Sequence, residues 1–272
     1  MIVESLGGQA KKSGRVILQR DHQNLALEFA KLFGNEQFTR IQPQDLMLFC
    51  IEHHDHGWNE VDANIGRNPD SGLPYSLVST PIDQLLQTGP NSADFNEEYH
   101  PYCGLLSSMH VWGLYNGRYG LSDKVVVSML QGEAQKNAQA MLDLELERQL
   151  RLKNQLSQDP LGQSYLEEEA LFCNYKLLQF FDTLSLYFNE KSDARREASS
   201  FQHVPLNSKK DCTVEITRID QNTYKMDPYP FCKSQIRLNL PCYEIPYSAT
   251  DVDYKSVFHE AEQLIEPIVV VK

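Results

Sequence analysis

Apolar residues recur at helical spacing through most of the chain before residue 190. Residues 21–33 place their apolar side chains on one helical face, and Gly34 follows where a helix would stop. A second run, 45–58, is apolar on nearly every side at first, which predicts a buried helix that ends at Gly57. Further helices are predicted over 101–117, about 122–157 and about 162–189.

The pattern changes after about residue 195. The segments 213–219, 235–247 and 267–271 are β-prone, and prolines separate them. Residues 16–18 near the N-terminus suggest a short strand or an extended arm. We therefore predict a mainly α fold, with a helical domain over 1–195 and a small β-rich C-terminal appendage over 196–272 packed on it. The motif DPYPF (227–231) is predicted to be a rigid turn that anchors this appendage.

Glycine and proline are frequent between residues 59 and 99, at positions 66, 69, 72, 74, 81, 89 and 90. This composition predicts a long irregular segment. Segments of that length often serve a function, so a lid over a site is the expectation here.

Composition and charge exclude several classes of protein. The 272 residues are 41% hydrophobic, enough to fill a sizeable core. The net charge of −12, without a long basic run, argues against non-specific nucleic-acid binding. We expect a cytoplasmic protein without a membrane partner, because no apolar stretch approaches the ~20 residues of a membrane span and the N-terminus lacks a signal-peptide pattern. The six cysteines form no CxxC pair, which favours reduced thiols.

Histidine is concentrated in the first half of the chain, where six of the eight histidines lie between residues 22 and 110. Helical offsets place five ionisable residues on faces shared with apolar side chains: His22, His54, Asp55, His110 and Asp182. Taken alone, the burial of each of these residues is most simply explained by hydrogen bonds to other groups in the core. Burying all of them without partners costs several kcal/mol each, whereas one divalent cation satisfies several at once. As a set they favour a shared metal ion.

The order of these residues resembles a known family. His22 early in one helix, His54-Asp55 late in the next and Asp182 on a later helix resemble the HD-domain superfamily of metal-dependent phosphohydrolases. Residues 54–57 (HDHG) look like its HD-x-G turn, and His100-Pro101 with Gly104 looks like the HP-x-x-G element of its binuclear members. The segments QRDH, HHDHGW, SSMH, FFDTLSL and DPYPF together resemble, more closely, a bacterial family of unknown function within or adjacent to that superfamily.

The resemblance implies a set of metal ligands and catalytic groups. His22, His54, Asp55 and Asp182 would hold a first ion, and Asp55 would bridge to a second ion held by His100 and His110. Only about ten residues separate His100 from His110, which departs from the binuclear pattern. The sequence is therefore compatible with either one or two metal ions. The catalytic candidates are Asp55, His53 and His56, of which the two histidines either support the ligands or cap a helix end. Such ligands suit manganese, iron, zinc or nickel.

The activity that the resemblance implies is hydrolysis of a small phosphorylated substrate by metal-activated water. An HD-type di-iron oxygenase and a non-catalytic metal-binding regulatory module are the alternatives. Four cationic residues lie near the motifs in sequence and would suit a phosphate, although each alone is more simply a solvated charge: Arg20, Arg67, Arg118 and Lys124. In the predicted helix at 122–157, Glu is interspersed with Lys and Arg. This pattern favours a solvent-exposed face, and a homodimer contact is the alternative.

Overall fold

One mixed sheet takes strands from both ends of the chain. The computed structural model describes residues 1–6, 13–248, 250 and 252–272. The strands in sheet order are β1 (Ile2–Leu6), β2 (Ser13–Ile17), β6 (Gln235–Pro246), β7 (Gln263–Val271), β5 (Thr223–Asp227), β4 (Lys210–Asp220) and β3 (Ser199–Asn207). Neighbouring strands are antiparallel, except that β5 and β7 run parallel.

The prediction of a mainly α, all-helical fold with a small β appendage is wrong. The chain is 51% helix and 23% strand, and the seven strands form a curled sheet. Residues 13–16 of β2 pair with residues 243–246 of β6, a contact between distant parts of the sequence that no local pattern reveals. The predicted domain boundary at residues 195 and 196 stays a prediction, and strands from both sides of it share this sheet.

The helices follow the predicted ones closely in the regions that carry the histidines. The described chain contains α1 (Gln19–Leu32), α2 (Gln44–His53), α3 (Trp58–Ala63), α4 (Ile82–Tyr99), α5 (Pro101–Tyr115), α6 (Gly132–Leu156), α7 (Pro160–Tyr165), α8 (Glu168–Glu190) and α9 (Tyr254–Glu260). Pro101 opens α5 as predicted, because a proline at the first helical position lacks only an N–H that would have no partner there. The helix predicted from residue 122 begins ten residues later, at Gly132.

The prediction of one irregular segment over 59–99 is also wrong. Helices α3 and α4 cover much of it, and Pro90 lies inside α4. The packing of α4 on α5 explains why: a Cβ at Gly89 would lie 2.7 Å from Val111, so the glycine permits a close approach of the two helices. This interhelical packing outweighs the local preference of glycine and proline for loops.

The DPYPF motif anchors the sheet to the end of α1, as predicted. The backbone N–H of Gly34 donates to Pro230 O at 2.9 Å, and that of Cys232 donates to Leu32 O at 2.8 Å. The side chain of Asn35 donates to Tyr229 O at 2.8 Å. The last carbonyls of α1 and the residues after it therefore find their partners in this turn.

A single large core joins the helices to the sheet. Phe29 of α1 stacks on Phe188 of α8 and on Phe231 beyond β5, at ring-centroid separations of 5.6 and 5.7 Å. Within the described residues, none of the helices has the length and apolar character needed to cross a bilayer. The core places α1, α2, α5 and α8 side by side, and these helices supply the predicted ligands.

Candidate metal centre

Three helices bring His22, His54 and Asp182 together in the interior. His22 Nε2 lies 3.2 Å from His54 Nε2 and 3.4 Å from Asp182 Oδ1. His54 Nε2 lies 3.7 Å from the same carboxylate oxygen. The three residues are at most 4% exposed. The predicted convergence of α1, the end of α2 and α8 is therefore present in the structure.

Asp55 adds a fourth ligand atom to this group. Its Oδ2 lies 3.8 Å from His22 Nε2 and 3.7 Å from His54 Nε2. Its side chain is 17% exposed, against 6% or less for the other three. The backbone carbonyl of Asp55 accepts hydrogen bonds from Gln23 Nε2 and from the N–H of Trp58, which fix the turn between α2 and α3. Asp55 is thus the side of the cluster nearest to solvent.

Position 57 in this turn has no space for a side chain, so it requires glycine. A Cβ there would lie 2.0 Å from the carbonyl oxygen of Thr88 on α4. The backbone N–H of Gly57 donates to Ser92 Oγ, also on α4, at 2.9 Å. The glycine of the HDHG motif therefore lets α4 pack directly on the turn and hold Asp55 in place.

Hydrogen bonds on the far side of each ring set the tautomers of His22 and His54. His54 Nδ1 lies 2.8 Å from the carbonyl oxygen of Ile51, which can only accept, so Nδ1 carries the hydrogen. His22 Nδ1 lies 2.8 Å from Asn189 Oδ1, which also accepts. Both Nε2 atoms then point lone pairs at each other across 3.2 Å. Two facing lone pairs repel unless a proton or a metal cation lies between them.

In the metal-free chain a proton takes this place. Burial acts to lower the pKa of His54, but the Asp55 and Asp182 carboxylates outweigh it and raise the pKa to about 9. Burial likewise acts to raise the pKa of Asp182, and hydrogen bonds from His22 and His54 hold that pKa well below its ordinary value. Without a metal ion, the His54 ring is therefore protonated at neutral pH and lies between two carboxylates.

The four ligand atoms also fit a divalent cation. Bonds of about 2.0–2.2 Å to imidazole nitrogen and carboxylate oxygen place neighbouring ligand atoms about 3–3.6 Å apart. Five of the six distances among the four atoms lie between 3.2 and 3.8 Å, close to that range. The remaining pair, Asp55 and Asp182, belongs to two different groups of candidate ligands. Each imidazole is oriented by a hydrogen bond from Nδ1, as metal-bound histidines usually are.

His110 belongs to a second, overlapping group of candidate ligands with His54 and Asp182, whose ligand atoms lie within 4.8 Å of one another. Its Nδ1 lies 2.5 Å from Gln179 Nε2 on α8. Burial lowers the pKa of His110 to about 4, so the ring is neutral at physiological pH. A neutral imidazole beside a shared carboxylate is suited to a second ion, or to donating a hydrogen bond to Asp182.

The structure does not bring His100 to this cluster. His100 is the N-cap of α5, where its Nδ1 accepts a hydrogen bond from the backbone N–H of Tyr102 at 3.0 Å. Among the described residues it belongs to neither group of candidate metal ligands. The His100-Pro101 pair therefore forms the start of α5, with His100 as the cap and Pro101 as the first helical residue. The resemblance of this segment to the HP-x-x-G element does not correspond to a metal ligand here.

His53 and His56 also lie apart from the ligand atoms. Both rings pack against Phe95 of α4, with centroid separations of 5.1 Å for His53 and 3.5 Å for His56. Burial lowers the pKa of each imidazole. Within the described chain neither joins a candidate ligand group, so the structure places them in an aromatic surface rather than at the cluster.

The residues that orient the ligands were not among those predicted from the sequence. Both residues lie on α8. Asn189 contacts Nδ1 of His22, and Gln179 contacts Nδ1 of His110. The signal was present: Asn189 follows Asp182 by seven residues and Gln179 precedes it by three, so all three share one helical face.

Fold and donor set together define a mixed α/β protein with a candidate metal centre. The chain belongs to the family described as "Protein of unknown function (DUF3891)", whose family model matches residues 1–247. No curated protein and no solved structure matches the chain.

Proposed function

We propose that this protein is a metal-dependent hydrolase of phosphate esters, as its resemblance to the HD-domain superfamily implies. The observation that supports this most is the pair of Nε2 atoms 3.2 Å apart, both turned inward by hydrogen bonds on Nδ1 and faced by two carboxylates. A structural histidine pair has no need of two further carboxylates, because one proton already satisfies it. His22, His54, Asp55 and Asp182 would hold the ion.

Held by His22, His54, Asp55 and Asp182, a divalent ion would supply Lewis-acid chemistry, which lowers the pKa of a water molecule toward neutrality and polarises a phosphoryl oxygen. The residues of the chain do the remaining work. Burial of His22, His54 and Asp182 excludes bulk water from three sides of the cluster. Asp55, the most exposed of the four, lies on the solvent side of the cluster, where its carboxylate can accept a proton.

His110 has a separate role in this proposal. Its ring lies edge-on to His54, with a centroid separation of 5.4 Å, and stays neutral because burial lowers its pKa to about 4. A neutral ring can donate a hydrogen bond to Asp182 or supply Nε2 as a further ligand, depending on which atom of the Gln179 amide faces Nδ1. In either case His110 keeps the Asp182 carboxylate from facing apolar surroundings alone.

The test combines metal content with turnover. Protein purified without an affinity tag is analysed for bound metal and assayed against a panel of phosphate esters that includes bis-p-nitrophenyl phosphate. We expect about one or two ions per chain and hydrolysis that a chelator abolishes. The double variant His54→Ala/Asp55→Ala is expected to lose both metal and turnover while its circular dichroism remains that of the wild type.

The control removes histidines that lie outside the cluster. The double variant His53→Ala/His56→Ala is expected to keep its metal, since neither ring reaches the ligand atoms. Full metal content in the His54→Ala/Asp55→Ala variant would overturn the proposal. Iron with visible absorption and no esterase activity would favour the oxygenase alternative, and one inert, tightly held ion would favour a regulatory module.

A further inference from the structure

A cavity lies beside the cluster, between α8, β3 and the loop that follows α5. Its volume is about 430 Å³, and its lining includes Arg118, Ser122, Gln179, Phe180, Phe201 and His203. Cavities of roughly this size hold small organic ligands. The lining combines a guanidinium, hydroxyl and amide groups with the rings of Phe180 and Phe201. It can therefore contact both a polar and an apolar part of a ligand.

Gln179 connects this cavity to the cluster. It lines the cavity, and its Nε2 lies 2.5 Å from His110 Nδ1, so one side chain separates the two. The residue is 5% exposed, and its Oε1 has no hydrogen-bond partner among the described residues. A buried amide with one unpartnered end is costly unless a ligand or water completes it. Rotation of the amide by a half turn would offer its N–H groups to the cavity instead.

Arg118 supplies the positive charge at the same end. Among the residues that the structure describes, no carboxylate forms an ion pair with it. Its φ of 52° lies in the left-handed region, as does the φ of 58° at His203 on the opposite wall. Non-glycine residues held in that region cluster at ligand sites.

The other charged side chains that line the cavity form no ion pair with Arg118. Lys176 is paired with Asp211 at 2.7 Å. Glu190 lies eleven residues beyond Gln179 on α8 (190 minus 179), which is about 16 Å along the helix axis. Among the described lining residues Arg118 is therefore a cation without an ion pair, and the lining carboxylate of Glu190 lies well away from Gln179 along α8.

We propose that this cavity binds an organic phosphate, with the phosphate held by Arg118 and the Gln179 amide and the apolar body against Phe180 and Phe201. Calling the ligand a substrate rests on the function proposed for the cluster. The phosphate would lie against Gln179, the residue that separates the cavity from His110.

The experiment measures binding of inorganic phosphate to chelator-treated protein by calorimetry. Arg118→Asn removes the charge, and asparagine tolerates the left-handed backbone conformation. We expect phosphate affinity to fall about 10- to 100-fold, the value of one or two hydrogen bonds to a charged group. The matched control is Arg237→Asn, an exposed arginine on β6, which is expected to leave the affinity unchanged.

Two outcomes separate this inference from the proposed function. Equal phosphate binding by wild type and the Arg118→Asn variant, or equal losses in both arginine variants, would overturn the inference while leaving the metal centre unaffected. Phosphate binding that depends on Arg118 in a protein that takes up no metal would support the cavity and reject the hydrolase. In the metal-loaded enzyme, Arg118→Asn is expected to raise KM more than it lowers kcat.

Discussion

At the scale of single residues, the centre depends on groups that never touch a substrate. Asn189 is 1% exposed, and its Oδ1 accepts from His22 Nδ1 at 2.8 Å and from Ser185 Oγ at 3.0 Å. This bond decides which nitrogen of His22 faces the other ligands. Residues that orient metal-bound histidines in this way set metal affinity through geometry rather than through direct contact.

Replacing Asn189 by leucine is therefore expected to weaken metal binding about 10- to 100-fold, because His22 loses the acceptor that fixes its tautomer. Competition with a chelator of known affinity measures the change. The control is Asn174→Leu on the same helix, where the side chain bonds Gln42 O and Tyr102 Oη and not the cluster. Equal metal affinity in the two variants would show that Asn189 has no orienting role.

The raised pKa of His54 predicts a pH dependence. A folded-state pKa of about 9 against an ordinary 6.5 stabilises the metal-free protein fully below pH 6.5, and this stabilisation is lost as the pH rises through 9. Its size is at most about 3 kcal/mol. A bound ion replaces the proton, so metal-loaded protein does not suffer this loss. The rise in Tm on adding metal is expected to grow from pH 6.5 to 9; a rise that shrinks over this range would contradict the assignment.

At the scale of elements, the end of α8 is held by the sheet. Arg15 of β2 donates to the carbonyl oxygens of Asn189 at 2.7 Å and Phe188 at 3.1 Å, and Arg196 also donates to Phe188 O. Both guanidiniums pair with Glu266 of β7. Cations at a helix C-terminus satisfy its last carbonyls and complement the helix dipole. The sheet therefore fixes the helix that carries Asp182 and Asn189.

Arg15→Met is expected to destabilise the fold by about 3 kcal/mol, because it breaks a largely buried ion pair and removes the partners of two helix-terminal carbonyls. Chemical denaturation measures this loss. The control is Lys31→Met, which removes a pair with Glu28 whose side chains are 47% and 49% exposed. That change is expected to cost less than about 0.5 kcal/mol. Similar free energies of unfolding for the two variants would contradict this account of the helix end.

The helices that carry ligands were predictable because their signals are local. Apolar spacing and Gly34 located α1, and Pro101 located the start of α5. Helix α4 was missed because Gly89 and Pro90 are loop signals whose tolerance depends on Val111, a residue on another helix. Asn189 and Gln179 share the helical face of Asp182, but this position alone does not show which histidine each of them contacts.

At the scale of the whole molecule, the sheet could not be read from the sequence. Strands β1 and β2 are five residues each, too short for a periodic signal to stand out. Strand β6, the second partner of β2, lies more than two hundred residues away in sequence. The convergence of His22, His54 and Asp182 was nevertheless predictable, because burial of ionisable groups on separate apolar faces already requires a common partner.

The most direct test of the central claim is anomalous X-ray diffraction at the absorption edge of the added metal, with crystals grown in manganese or zinc. We predict a peak at bonding distance, about 2.0–2.2 Å, from the Nε2 atoms of His22 and His54 and from the carboxylate of Asp182. A structure from such crystals that shows no anomalous peak there, with the two imidazoles still in contact, would contradict the account.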